Sequence, residues 1–195
     1  MRTAWGYDVN GSLDPIVSES DFNRITGGVY SENQHVSSAL AAASQAIRNY
    51  CGWHITPSMD CTAYPAGGTY MMRLPAGYVS AIDTITEDGT AVASTDYEWK
   101  RSGLIRRKDR FWSDTWDGIE VEYTAGYEDD AVPDLTEAVI SIASGVLAVS
   151  AGVSQESADG VSITYSANAT SVATALTSNY KSALEPYRVV NSHAT

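Results

Sequence analysis

From His54 to Thr124 turn residues punctuate the chain at short, regular intervals: Pro65-Ala-Gly-Gly68, Pro75-Ala-Gly77, Asp88-Gly89, Ser102-Gly103 and Asp117-Gly118. Between them lie segments rich in Tyr, Thr, Val and Ile, a texture that favours strands over helices. The spacing predicts strands over Ile55–Tyr64, Thr69–Leu74, Val79–Glu87, Tyr97–Arg101, Leu104–Arg107 and Ile119–Thr124. Glycines at 67, 68, 77 and 89 suit turns because they reach positive φ at little cost. These segments together predict a small antiparallel sheet.

On both sides of this block the apolar period changes from two to between three and four. Ser31-Glu-Asn-Gln34 has the capping-box pattern, and Val36, Leu40, Ala43, Ile47 and Tyr50 behind it share one helical face ending at Gly52. A shorter helix is expected at Ser18–Thr26, with Phe22 and Ile25 on one side. After Gly126-Tyr127, Pro133 suits a first helical turn, and Leu135, Val139, Ile142, Val146 and Val149 form a second stripe. A strand at Val161–Tyr165 and a third long helix from about Asn168 to Leu184, stopped by Pro186, complete the pattern. The expected fold is α+β: an antiparallel bundle of three to four helices, with a small antiparallel β-sheet inserted between the first long helix and the next. The corresponding domain plan is an irregular N-terminal arm (1–17), a helical domain (18–53 and 125–186), an inserted β subdomain (54–124) and a C-terminal tail (187–195).

Charge and motif content narrow the function. With 24 acidic against 12 basic residues the formal net charge is −12, opposite to what neutralising a phosphate backbone requires. Such a balance suits a protein that DNA slides past, and it keeps a self-associating subunit soluble. No apolar run approaches the roughly 18 residues of a membrane span, and the first ten residues lack the pattern of a secretory signal. Cys51 and Cys61 are too few for a disulfide framework and are expected to be reduced.

Catalytic and metal signatures are weak. There is no Gly-x-Ser-x-Gly elbow for a nucleophilic serine and no phosphate loop, since Gly67-Gly68 is followed by Thr-Tyr-Met. Cys51 and His54 stand three apart, as in half of a zinc site, but a second closely spaced pair is missing, so Cys51 reads as a core residue. The acidic run Glu128-Asp-Asp130 precedes a helix start, where negative charge is favourable without any catalytic role. No enzyme activity, cofactor or metal is expected.

One segment opposes the overall charge. Lys100, Arg101, Arg106, Arg107, Lys108 and Arg110 fall within eleven residues, with Trp99, Phe111, Trp112 and Trp116 close by. Arg and Trp are enriched in binding hot spots. Arg101, Arg106, Arg107, Lys108, Arg110 and Trp112 are therefore candidates for a subunit–subunit or subunit–portal contact, the alternative being a solvated hairpin.

The order of elements resembles the head-tail connector (adaptor) proteins of tailed bacteriophages, in their larger form with strands inserted after the first long helix. The resemblance rests on Ala39-Leu-Ala-Ala-Ala-Ser-Gln-Ala-Ile-Arg-Asn-Tyr-Cys-Gly52, on Arg73-Leu-Pro75 with Val79-Ser-Ala-Ile82, and above all on Ile119-Glu-Val-Glu-Tyr-Thr-Ala-Gly-Tyr127 followed by Val132-Pro133 and a helix. It spans about Asp21 to Arg188. It implies a structural subunit of the virion neck, assembled in the host cytoplasm. Such subunits form a ring, dodecameric to match the portal, which completes the head after DNA packaging and offers a platform to a stopper or tail-completion protein. Genomic DNA would only pass through the channel, and no membrane is involved. By the same resemblance Leu184, Tyr187, Arg188, Val189 and Val190 are candidates for contact with the portal protein. The rival expectations are a capsid decoration or tail-completion subunit, and a small nucleic-acid-binding module.

Overall fold

The computed structural model describes residues 3–150, 155–158, 161–164 and 178–189. The chain divides into two compact units, one of Met1–Leu13, Cys51–Ala131 and Tyr187–Thr195, the other of Asp14–Tyr50 and Val132–Pro186.

The first unit is built from strands. A five-stranded antiparallel sheet takes β1 (Tyr7–Val9), β2 (Met59–Ala63), β4 (Val79–Glu87), β5 (Thr90–Ala91) and β8 (Ile119–Ala125) in the order β1-β2-β8-β4-β5. A three-stranded antiparallel sheet takes β3 (Met71–Arg73), β6 (Tyr97–Trp99) and β7 (Leu104–Arg107) in the order β3-β7-β6. Alternation fixes what each strand buries. In β8, Ile119, Val121, Tyr123 and Ala125 point inward, and β1 and β2 add Tyr7, Val9, Cys61 and Ala63 to the buried side. The smaller sheet buries Met72, Tyr97, Ile105 and Arg107.

The second unit holds the helices. In α1 (Glu19–Ile25) the Ser18 hydroxyl accepts the Asp21 N–H at 3.1 Å, an N-cap, and Phe22 is fully buried. The apolar face of α2 (Val36–Cys51) consists of Val36, Ala39, Leu40, Ala43 and Ile47; that of α3 (Pro133–Ser150) of Leu135, Ala138, Val139, Ile142, Ala143 and Leu147. The Ser44 hydroxyl accepts the Ile16 N–H at 2.9 Å and fixes the chain leading into α1. A hairpin of β9 (Gln155–Ala158) and β10 (Val161–Thr164) and the short α4 (Ser178–Leu184) follow. No helix among the described residues is long and apolar enough to cross a membrane.

This overturns the expected helix bundle carrying a small inserted sheet. Only α2 and α3, of 16 and 18 residues, are long helices among those described, and sheets dominate the other unit. The sheet is larger than expected because its edge comes from the N-terminal segment, where Tyr7 and Val9 alternate with Asp8 in a strand too short to stand out by period. Three local expectations also shift. The strand expected from Ile55 begins at Met59, since Ile55 takes φ 66° and Pro57 has no N–H to offer a ladder. The Ser31–Gln34 capping box does not form; the Asn33 side chain accepts the His35 N–H at 2.9 Å instead, and the helix starts at Val36. Residues 168–177 of the expected third helix lie outside the described residues.

Candidate assembly surfaces

The basic segment lies on β6, β7 and the loop after them, and strand alternation sorts its side chains. Arg107 points inward and is 6% exposed. Its guanidinium stands 4.8 Å from the Trp112 ring centre and 3.4 Å from a Glu87 carboxylate oxygen. That approach is close enough for charge attraction, but Arg107 Nη1 makes no aligned hydrogen bond. The same Glu87 oxygen accepts from Arg110 at 2.6 Å, and its other oxygen accepts the Ser113 N–H at 2.8 Å. Glu87 ends β4, so this knot of charge ties the larger sheet to the smaller. Trp112 is itself 1% exposed.

The other predicted contact residues are exposed but engaged within the chain. Lys108 donates to the Thr95 carbonyl at 2.7 Å. Arg101 donates to the Tyr78 hydroxyl at 3.3 Å and lies over that ring, which stacks on Tyr127 at 4.6 Å. Arg106 points outward and pairs with Glu98 at 2.8 Å, both side chains more than half exposed. Of the six, then, Arg107 and Trp112 belong to the interior, and Arg106 occupies the outward face of its sheet.

Around Arg106 the structure gathers residues that counting charges did not single out. Across the sheet Arg106 stands between Met71 and Glu98, while Arg73 faces Leu104. Met71, Trp99, Lys100, Leu104 and Arg106 line one cleft of about 310 Å³. Met71 is 53% exposed and Trp99 36%. Beside them Tyr70 and Phe111 form an exposed edge-to-face pair at 4.4 Å. The signal that finds this face is the period of two through β7, once its pairing to β3 is known.

The outward face of the five-stranded sheet has the opposite character. Its strands contain no lysine or arginine, and their outward positions carry Asp8, Asp60, Asp83, Glu120 and Glu122 among threonines. Asp60 faces Thr124 and Glu122 stands between Thr62 and Thr84. Asp60, Asp83 and Glu122 line a single depression.

The C-terminal segment is held rather than loose as far as Val189. Leu184 is 1% and Val189 7% exposed, Tyr187 is half-buried and Arg188 exposed. Trp53 Nε1 donates to the Tyr187 carbonyl at 2.6 Å, and the Val189 N–H donates to the Cys51 carbonyl at 2.8 Å, satisfying an acceptor at the end of α2. Tyr187 meets the Tyr127 ring edge-on at 5.8 Å. Val190 lies outside the described residues.

Two buried groups raised by the sequence have structural partners. His54 is fully buried; its Nδ1 lies 2.7 Å from the Tyr7 hydroxyl and its Nε2 3.0 Å from the Ala125 carbonyl. The Tyr7 hydroxyl also accepts the His54 N–H at 3.0 Å. A consistent assignment is a neutral imidazole that donates from Nε2 and accepts at Nδ1, which links Tyr7 of β1 to the end of β8 through His54. Gly126 follows directly, where a side chain would collide with the Pro57 carbonyl. Cys61 is buried in β2, and burial pushes its thiol up to about 12, with Asp60 adding to the shift. Among the described residues no group of His, Cys, Asp and Glu is arranged to hold a metal ion.

No curated protein matches the sequence. Among the solved structures that share the fold are the neck of a native GTA particle computed with C12 symmetry, at TM-score 0.60 and 16% identity, and the neck of an empty GTA particle computed with C6 symmetry, at TM-score 0.57 and 18% identity. Each match covers 97% of this chain and 98% of the other. The model of the head completion protein family matches residues 16–188. With nearly the whole chain accounted for, this protein belongs to the head completion protein family.

Proposed function

We propose that this chain is the head-to-tail adaptor of a tailed-phage-type particle: a structural subunit that forms a ring beneath the portal and completes the head. The ring then presents the platform on which a stopper or tail-completion protein docks. The observation that carries this reading is the head completion family match over residues 16–188, in a chain whose fold is shared end to end with subunits of a particle neck. The C12 symmetry of that neck supports a ring of twelve copies, matched to the portal. Localisation to the virion neck, after assembly in the host cytoplasm, follows from the same reading. DNA passes through the channel without being gripped, in keeping with a net charge of −12.

Portal contact is assigned to the C-terminal segment in two parts. Leu184 and Val189 already bury their side chains within the chain, so they hold the segment in place. Tyr187, Arg188 and Val190 make the contact, with the aromatic ring and the guanidinium as anchors. Mixing the purified chain with portal rings of the same particle and measuring the mass of the product by size exclusion with light scattering tests the proposal. A discrete complex of portal plus about one further ring supports it, and two non-interacting species refute it. Arg188→Glu separates docking from folding better than removal of the whole tail, because truncation would also expose Trp53 and Cys51.

A further inference from the structure

The two sheets of the strand-built unit divide its charge between them. Seven of the chain's 12 basic residues fall between Arg73 and Arg110, on or beside the three-stranded sheet, while the five strands of the larger sheet have none. One sheet therefore turns out a mainly cationic, partly apolar face (Met71, Arg73, Glu98, Lys100, Leu104, Arg106), and the other an acidic face centred on Asp60, Asp83 and Glu122.

We propose that these faces are the two halves of one heterologous contact between copies of this chain, the basic sheet of each subunit docking on the acidic sheet of the next. The inference deepens the adaptor reading and rests on it. A twofold contact centred on either face would set like against like, cation on cation or carboxylate on carboxylate, and repel. A head-to-tail contact sets unlike faces together at every joint, and when the rotation closes it makes a ring. Every copy carries one face of each sign, so the chain supplies its own complement. The basic face also has what a charge patch alone lacks. Met71 and Leu104 provide apolar area around the cations, with Trp99 lining the same cleft, and Arg106 is held by a solvent-exposed pair with Glu98 that exchanges at little cost. Duplex DNA is the other class of partner for a cationic-aromatic face. It is disfavoured by Glu98 beside Arg106 on that face and by the acidity of the remaining molecule.

The test uses full-length chains in two charge-reversed forms. Variant one carries Lys100→Glu and Arg106→Glu, so both its faces are acidic; variant two carries Asp60→Lys and Glu122→Lys, so both its faces are basic. All four side chains are exposed, and recovery of function in the mixture below also shows that both variants fold. Each sample is mixed with portal rings, and the mass added to the portal is read by light scattering. The wild-type chain is expected to complete a ring. Each variant alone should lose assembly by about tenfold or more, because every joint is repulsive. An equimolar mixture should assemble again, alternating around a ring of even copy number. If either variant alone assembles like the wild type, or the mixture stays unassembled, the contact is overturned while the adaptor reading stands. If the wild-type chain adds nothing to the portal, the adaptor reading falls, and this contact with it. Retention of the wild-type chain on duplex DNA, lost in variant one, would give the basic face to nucleic acid and also overturn the proposal.

Discussion

In the five-stranded sheet the outward positions are mostly Asp, Glu and Thr; in the three-stranded sheet they are Met71, Arg73, Leu104 and Arg106, with Glu98 as the one acid and Lys100 just beyond β6. The inward positions of both are apolar, with one exception on each side: Glu87 from the acidic sheet and Arg107 from the basic one, which meet. The difference between the faces is therefore not a matter of stability. Exposed charges contribute little to folding, whereas the internal pair is a structural joint that neither sheet makes alone. A surface kept at one sign on one sheet and the other sign on the second is what a repeated, directional contact between copies requires.

Substitutions should separate the internal joint from the outward faces. The largest effect belongs to Glu87→Ala, which strands the buried Arg107 guanidinium and frees the Ser113 N–H; the expected loss is about 3–5 kcal/mol, read from the urea unfolding midpoint. Arg107→Ala should cost less, because Glu87 keeps Arg110 and the Ser113 N–H, and the double variant less than the sum of the two. Next comes Tyr7→Phe, which leaves His54 Nδ1 and the His54 N–H without their shared partner. A cost of about 1–3 kcal/mol is expected, with early hydrogen exchange at Asp8 and Val9 as β1 loosens. Arg106→Ala, one residue from the buried arginine, should change the stability of the isolated chain by less than about 1 kcal/mol. If Arg106 and Arg107 cost the same, the sorting of the two faces by alternation is wrong. The smallest effect is chemical. Because burial holds the Cys61 thiol protonated up to about 12, its alkylation in the native chain near pH 8 should be far slower than in denaturant, as followed by mass spectrometry.

The long helices and most strands could be read from the sequence because each has a clear period. Ala43, Ile47 and Leu135, Val139, Ile142 fall on faces that the structure does bury. What period could not give is the balance between layers. Tyr7-Asp-Val9 is a three-residue strand whose place at a sheet edge depends on pairing with Cys61–Ala63, some fifty residues away. The candidate surface was legible only in outline. Charge counting found the basic segment, but Arg106 and Arg107 look alike in a sequence, and only the strand register sends one to solvent and the other to Glu87. Lys100 and Arg106 stood in that segment, yet Met71 and Arg73, their neighbours on the face, come from a strand about thirty residues earlier. The acidic face left no local mark either, because it is assembled from single residues on separated strands.

A cryo-electron microscopy map of the chain assembled on its portal shows directly which surfaces meet at each joint. The expected result is a closed ring in which Arg106 and Lys100 of each copy lie against Asp60 and Glu122 of the next. A ring whose joints bury other surfaces, with both sheet faces left in solvent, would contradict it.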